Sequence, residues 1–249
     1  MKLHDPSMTC HRYPSKDDYA FFGQYLPTCK CTDDGILLRN PGQREVFPKM
    51  PLLKKQSIDL SQFEYLGFQN TRKNDSRNFA NKTVGFFKTD GKFEHVCDRP
   101  WKYTEWLRQY KHVLSPDLSC YTDMPIVDQW RSIYWNMLIG AYWQHCGLIV
   151  IPTASWTDER SYGFCFSGME SGSVIAVSTM STRTAPQNFL AGFRELCLRV
   201  KPELVICYCN PYPEMYNYAK IIAIEHDGTN ARKIARRRPL VGQMVFDNL

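Results

Sequence analysis

The sequence predicts an α/β fold: a mixed, mostly parallel sheet flanked by helices, with an irregular N-terminal arm. Two observations lead to this prediction. Short runs of apolar, β-branched residues recur along the chain, and segments with the apolar spacing of a helix separate them. Strands that are apolar on both faces need cover on both sides of their sheet, which is typical of parallel sheets. A chain of 249 residues, 43% of them hydrophobic, can bury a substantial core.

The first 60 residues predict the irregular arm rather than a domain of their own. Prolines interrupt them repeatedly, and neither helical nor strand periodicity persists. We therefore expect a main α/β domain over residues 61–225 and a basic C-terminal tail over residues 226–249. Four potential metal ligands occur in the arm at spacings that match no standard zinc site, namely Cys10, His11, Cys29 and Cys31. Two interpretations of these residues stay open: the four side chains bind one metal ion together, or none of them binds a metal.

The first part of the main domain is predicted to contain a strand, a hairpin and a short helix. Residues 63–68 have the composition of a strand, and the polar, basic residues 70–82 are expected to form an exposed loop. Residues 83–96 predict a hairpin, because an Asp-Gly turn dipeptide at 90–91 separates two apolar stretches. Asp98 is expected to cap the short helix that follows.

The second part of the main domain alternates helices with apolar strands. Residues 126–145 predict a helix whose apolar side recurs every three or four positions, with Asp123 as its N-cap and Gly147 as its stop. Pro186 is predicted to open a second helix. The strands are predicted at residues 112–114, 148–151, 162–166, 174–177, 204–207 and 221–224. Their order fits both an open sheet and a closed, barrel-like one.

Small polar residues follow the predicted core strands, and they indicate where a site would lie. Because the carboxyl ends of parallel strands meet at one edge, these residues are expected to line a shared crevice there. The candidate catalytic carboxylates are Asp117, Asp123 and Asp158, and the candidate pocket residues are Ser119, Trp156 and Asn210. The alternative is that these side chains merely end strands and cap helices, as Asp123 is also expected to do.

Missing motifs exclude several large classes of enzyme. The sequence has no G-x-S-x-G elbow, no P-loop, no G-x-G-x-x-G and no H-E-x-x-H. The spacing of the carboxylates does not require a divalent metal, so no metal site is predicted among them, and no cofactor is indicated. No apolar run is long enough to cross a membrane, and the first 13 residues lack a signal core. We therefore expect a cytoplasmic protein whose ten cysteines form no disulfide.

The basic tail is the feature that points to nucleic acid. Five cations fall within seven positions near the end of the chain: Arg232, Lys233, Arg236, Arg237 and Arg238. Such a density supplies contacts to the phosphates of DNA or RNA without base specificity. The alternative is a solvated terminal segment that binds nothing.

Three blocks of sequence resemble a family known only as a domain of unknown function, DUF4417. They read SPDLSCYTDMP at residues 115–125, GAYWQHCGLIVIPTASW at 140–156 and FCFSGMESGSVIAVST at 164–179. The resemblance spans residues 83–215. It implies a gene of a bacteriophage, a plasmid or a related mobile genetic element, and it transfers no catalytic residue.

Three hypotheses of function follow. The leading one is an accessory protein of a mobile element that binds nucleic acid or nucleotide, without assigned catalysis. The first alternative is an enzyme that acts on a nucleotide or nucleic acid at the carboxyl edge of the sheet, through Asp117 with Asp123 or Asp158. The second is an interaction protein that blocks a host protein. Convergence of Asp117, Trp156 and Asp158 on one concave pocket would favour the enzyme, and an exposed apolar patch would favour the blocking protein.

Overall fold

Seven short parallel strands follow one another in sequence order in the part of the chain from residue 50 to residue 225. The computed structural model describes residues 15–23, 30–31, 37–38, 50–75 and 81–225. The side chains of Cys10, His11, Cys29 and Cys31 and the cations of the tail lie outside this description. The strands are β1 (Lys30–Cys31), β2 (Leu37–Leu38), β3 (Glu64–Gly67), β4 (Lys82–Gly85), β5 (His112–Leu114), β6 (Val150–Ile151), β7 (Val174–Ser178), β8 (Leu204–Tyr208) and β9 (Ile221–Ile224).

The seven strands β3 to β9 form two parallel sheets that a short bridge connects. β3 to β6 pair in that order in the first sheet, and β7 to β9 pair in the second. Between the two sheets Thr153 pairs with Ala176, and the backbone N–H of Ala176 donates to the carbonyl of Pro152 at 2.8 Å. This arrangement confirms the predicted α/β class with a mostly parallel sheet.

The series of strands curls, as a contact between β3 and β8 shows. The ring of Tyr65 on β3 lies 5.2 Å from the ring of Tyr208 on β8, although four strands separate β3 from β8 along the series. These rings border an inner cluster of side chains whose buried members are Phe87, Leu114, Ile151, Val174, Ala176, Ile206 and Tyr208. The curl brings the carboxyl ends of the seven strands to one rim.

Helices pack against the other face of the strands. Val113 and Val150, which alternate with the inner residues of β5 and β6, join the outer cluster together with Ile133 and Met137. The helices are α1 (Lys16–Gly23), α2 (Glu94–Asp98), α3 (Thr104–Leu107), α4 (Ile126–His145), α5 (Tyr162–Cys165) and α6 (Pro186–Val200). The bounds of α4 and the start of α6 at Pro186 confirm the sequence prediction.

The end of α4 also confirms its predicted stop. Gly147 is left-handed, with a φ of 85°. Its N–H donates to the carbonyl of Gln144, and the N–H of Leu148 donates to the carbonyl of Trp143, both at 2.9 Å. This pair of bonds is a Schellman cap, in which glycine adopts the left-handed conformation without steric cost.

The predicted hairpin over residues 83–96 is wrong. Its first half is β4, which lies parallel between β3 and β5 and already begins at Lys82, and its second half is α2. The Asp-Gly dipeptide at 90–91 starts a 3-10 turn in which Gly91 has no positive φ. An Asp-Gly pair permits a tight hairpin turn but does not impose one. β4 pairs instead with β3 and β5, which come from distant segments of the chain.

Three further local predictions are wrong. Residues 162–166 were expected to form a strand, but Tyr162 begins the helix α5, since a short apolar run fits either structure. Asp98 does not cap a helix; it ends α2, and Pro100 begins the next turn after Arg99. Asp123 does not cap α4 either, because Pro125 precedes the helix and no side chain caps it.

Candidate binding site at the carboxyl edge of the sheet

A pocket of about 470 Å³ opens at the rim where the last three strands end. Its walls come from the loop after β7, the loop after β8 and the residue that directly follows β9. The lining residues are Thr179, Met180, Ser181, Arg183, Cys209, Asn210 and Glu225. The pocket therefore lies at the edge where ligands bind to parallel α/β sheets.

Thr179 fixes the two loops of the pocket to each other. It is almost completely buried, with 1% of its surface exposed. Its N–H donates to the carbonyl of Tyr208 at 3.0 Å, and its hydroxyl donates to the carbonyl of Asn210 at 2.9 Å. A second link joins the hydroxyls of Thr182 and Tyr212 at 2.9 Å. The pocket is thus held in shape before any ligand enters.

Arg183 places a positive charge at the pocket. Its Nη2 donates to the carbonyl of Asn210 at 2.5 Å, and its guanidinium carbon lies 4.1 Å from the centre of the buried Tyr212 ring. Asn210 is the one hydrogen-bond acceptor that the described residues offer to this side chain. A guanidinium carries five N–H donors, so most of them remain available. A planar cation held in this way suits phosphate or carboxylate ligands.

The backbone of the pocket is in an unfavourable conformation at two positions. Ser181 and Cys209 have φ angles of 64° and 71°, in the left-handed region that favours glycine. Only four non-glycine residues in the described parts of the chain have a positive φ, and two of them line this pocket. Such conformations cost energy and concentrate at functional sites, so they support a binding role for the pocket.

A second polar group lies at the ends of β4 and β5 and contains two predicted site residues. The carboxylate of Asp90 accepts hydrogen bonds from the N–H and the hydroxyl of Ser119, at 3.1 and 2.8 Å. Burial, together with the nearby charge of Asp90, raises the pKa of Asp117 to about 7. The buried hydroxyl of Ser155 lies beside this carboxyl and partly offsets the rise.

Asp158 is held by an ion pair near the same group. Its carboxylate accepts from the backbone N–H, the Nε and the Nη2 of Arg160, at 3.1, 2.9 and 2.7 Å. This pairing lowers the pKa of Asp158. Burial raises the pKa of the Cys120 thiol, and the charges of Asp117 and Asp158 add to that rise. Both carboxylates therefore lie near Cys120, but they have opposite electrostatic environments.

The other predicted site residues are dispersed. Asn210 lines the pocket, whereas Asp117 and Ser119 belong to the second group. Asp123 is exposed. Trp156 packs 5.0 Å from the ring of Phe189 and covers Gly192 on α6 so closely that a side chain there would overlap it. Of the predicted crevice, Asp117 and Asp158 both lie near Cys120, whereas Asn210 lines the separate pocket. Trp156 packs between a loop and the helix α6.

Two buried amides of α4 position the loops of the second group, and neither was among the predicted site residues. Asn136 accepts from the N–H of Leu118 at 2.9 Å. Gln129 accepts from the hydroxyl of Thr157 at 2.7 Å, and both amide side chains are fully buried. A detectable signal was present, because amides seven positions apart on the apolar side of a helix need buried partners.

The described residues offer neither a cluster of metal ligands nor a helix that could cross a membrane. Over residues 15–23, 50–75 and 81–225, no group of three or more His, Cys, Asp or Glu side chains is arranged to hold a metal ion. Among the helices that the structure describes, none is long and apolar enough to cross a membrane.

The chain is similar to proteins of bacteriophages. The model of a domain of unknown function, DUF4417, matches residues 43–227, which include every residue that lines the pocket. The Gene 1 protein of Mycobacterium phage L5 is 37% identical over 138 residues, or 53% of this chain and 60% of the relative. The Gene 1 protein of Mycobacterium phage D29 is 35% identical over 126 residues, or 49% of this chain and 47% of the relative. The chain spans about half the length of the curated relatives it matches. No solved structure matches it.

Proposed function

The chain belongs to the DUF4417 family, and from that premise we propose that it is a phage accessory protein that binds a nucleotide or a nucleic acid. The phage setting comes from the two Gene 1 relatives. The ligand class comes from the pocket. The single observation that carries the proposal is the guanidinium of Arg183, which is fixed between Asn210 and Tyr212 at the carboxyl edge of a parallel sheet.

The size and chemistry of the pocket fit one nucleotide. Pockets for small molecules and cofactors have volumes of about 300–1,000 Å³, and this pocket has about 470 Å³. Arg183 supplies donors for a phosphate, and the exposed Met180 supplies an apolar contact for a base. The same residues would serve a free nucleotide and one nucleotide of a single strand.

The basic tail supports the polymer as a ligand. Glu225 lines the pocket, and the five cations between Arg232 and Arg238 follow it closely in the chain. Arg232, the first of these cations, is seven positions after Glu225, and an extended chain spans at most about 3.3–3.6 Å per residue. The chain between them limits the distance from Glu225 to Arg232 to about 25 Å. Within that reach the cations could neutralise the phosphates that flank a bound nucleotide.

The test is equilibrium binding of labelled nucleoside monophosphates and of a short single-stranded DNA to the full chain. Arg183→Ala should weaken binding about tenfold or more, since a hydrogen bond to a charged group is worth about 1.5–3 kcal/mol. Arg194→Ala is the matched control, because Arg194 is an exposed arginine on α6 that does not line the pocket, and it should bind like the wild type. Absence of binding by the wild type, or equal binding by both variants, would overturn the proposal.

A second candidate function is an enzyme that acts on a nucleotide or nucleic acid, and the environment of Asp117 favours it. A carboxyl group with a pKa near 7 suits general acid–base catalysis at neutral pH. Asp158, which Arg160 stabilises as a carboxylate, would supply the ionised partner. Turnover of a nucleotide or a nucleic acid that Asp117→Asn abolishes, while the fold is retained, would support this candidate. Turnover that survives this substitution would exclude Asp117 from the chemistry.

A further inference from the structure

We propose that the pocket selects guanine among the bases, with the carboxylate of Glu225 as the acceptor for the base. This inference rests on the proposed nucleotide-binding function and names the ligand of the same site. The pocket contains two opposite charges. Arg183 and Glu225 both line it, yet no ion pair joins them among the contacts of the described residues.

The two charged residues follow strands that lie on opposite sides of β8. Arg183 comes from the loop after β7 and donates to Asn210, whereas Glu225 directly follows Ile224 at the end of β9. The carbonyl of Ile224 accepts from the N–H of Cys209 at 2.9 Å, so the position of Glu225 is tied to the loop after β8. β8 lies between β7 and β9, so the backbones of Arg183 and Glu225 approach the pocket from different sides. A cation and an anion that are not paired with each other fit a ligand that presents an anion at one end and donors at the other.

A nucleotide is such a ligand, and the carboxylate discriminates among the bases. An ionised carboxylate only accepts hydrogen bonds. Guanine presents two N–H donors side by side, at N1 and at the 2-amino group, which match the two oxygens of Glu225. Adenine and cytosine present one amino group next to a ring nitrogen whose lone pair would face a carboxylate oxygen. Uracil presents a single N–H between two carbonyls. The charge of Glu225 therefore favours guanine and disfavours the other bases.

The polar groups of the pocket that are already bonded strengthen this assignment. The hydroxyl of Thr179 and the guanidinium of Arg183 both donate to the carbonyl of Asn210. Both lone pairs of that carbonyl are therefore engaged, and the proton of the Thr179 hydroxyl is not available to a base. Arg183 and Glu225 are the charged residues that line the pocket, and of these two only Glu225 accepts hydrogen bonds.

The test is calorimetric titration of the full chain with GMP, IMP, AMP and XMP. GMP should bind about tenfold more tightly than AMP, and IMP, which lacks the 2-amino group, should lie between them. Glu225→Gln presents an amide N–H and a carbonyl, which match the N1–H and the 2-oxo group of xanthine. The variant should therefore lose its preference for GMP over AMP and prefer XMP to GMP. Glu214→Gln, which removes an exposed carboxylate outside the pocket, is the control and should keep the preference of the wild type.

The outcomes separate this inference from the proposed function. If the four nucleotides bind with equal affinity and Arg183→Ala still weakens them, the pocket binds nucleotides but guanine selection is overturned. If Glu225→Gln keeps the order of the wild type, Glu225 is not the acceptor and the inference fails. If no nucleotide binds to the wild type, the proposed function fails first and the inference fails with it.

Discussion

The guanidinium of Arg183 lies 4.1 Å from the centre of the Tyr212 ring, which is buried between the loop after β8 and the helix α6. This relationship fixes the direction of a long, exposed side chain. An arginine in solution loses rotamer entropy when it binds an anion, and stacking on an aromatic ring removes part of that loss in advance. The pocket is therefore prepared for an anionic ligand by contacts that lie outside it.

Arg183→Lys tests this preparation. Lysine keeps the positive charge but loses the planar group that stacks on Tyr212 and the fork that bonds a phosphate. We expect nucleotide affinity to fall between those of the wild type and Arg183→Ala in a fluorescence anisotropy titration. Affinity equal to the wild type would show that charge alone suffices and that the stacked geometry contributes nothing. Arg194→Lys controls for the change of residue type on α6.

The carboxyl group of Asp117 predicts a dependence of stability on pH. Its pKa in the folded protein is about 7 and its ordinary value is 3.8, so the folded state holds this proton more tightly than the unfolded state. The stabilisation is fully present below about pH 4, declines as the pH rises from about 4 to about 7, and is absent above that range. A pKa difference of one corresponds to about 1.4 kcal/mol, so the decline is on the order of a few kcal/mol.

The measurement is urea unfolding of the wild type and of Asp117→Asn at several pH values. Because asparagine does not titrate, the variant should gain stability relative to the wild type as the pH rises from 4 to 8. Asp123→Asn, which removes an exposed carboxylate after β5, controls for the loss of one negative charge. A stability difference between Asp117→Asn and the wild type that is constant across this range would contradict the environment described for Asp117.

Gly192→Ala tests the packing of α6 on the loop after β6. A Cβ at this position would overlap the ring of Trp156, and such overpacking costs about 1–3 kcal/mol. Alanine favours a helix over glycine by about 1 kcal/mol. If Trp156 is fixed as described, the overlap should outweigh that gain and make Gly192→Ala less stable than the wild type. Gly163→Ala in α5 is the matched control, because no atom lies within 4 Å of its added Cβ. It should be neutral or stabilising, and similar stability of both variants would contradict the packing of Trp156.

Removal of the basic tail tests its predicted contact with phosphates. Each phosphate neutralised on double-stranded DNA contributes about 0.9 to the slope of log affinity against log salt concentration. Truncation after Asn230 should lower the slope by about 3–5, with little change in sequence preference. The measurement is binding of a short DNA duplex at several salt concentrations. Identical slopes with and without the tail would identify it as a solvated end.

The regular elements could largely be predicted from the sequence because their signals are local. The spacing of apolar residues and the glycine at position 147 define α4, and Pro186 defines the start of α6. The failures at residues 83–96 and 162–166 have a different origin. β4 receives its partners from residues 64–67 and 112–114, so its pairing depends on contacts that no local pattern records.

The rim that holds the candidate pocket could be proposed from the sequence, but most of the lining residues could not. The rule that ligands bind at the carboxyl edge of parallel strands led to Asn210, which lines the pocket. Arg183 lies five residues beyond the end of β7, and only the fold shows that it reaches the loop after β8. Glu225 was not among the candidate residues, since its proximity to Cys209 depends on the pairing of β8 with β9.

The most direct test of the account is to locate the bound ligand. The full chain would be irradiated with 8-azidoguanosine monophosphate, digested, and the labelled peptides identified by mass spectrometry. We expect labelling to fall on residues 179–183 or 209–210, excess GMP to prevent it, and Arg183→Ala to reduce it strongly while Arg194→Ala leaves it unchanged. Labelling that GMP prevents but that falls only on other peptides, such as residues 115–123, would contradict the assignment of the ligand to this pocket.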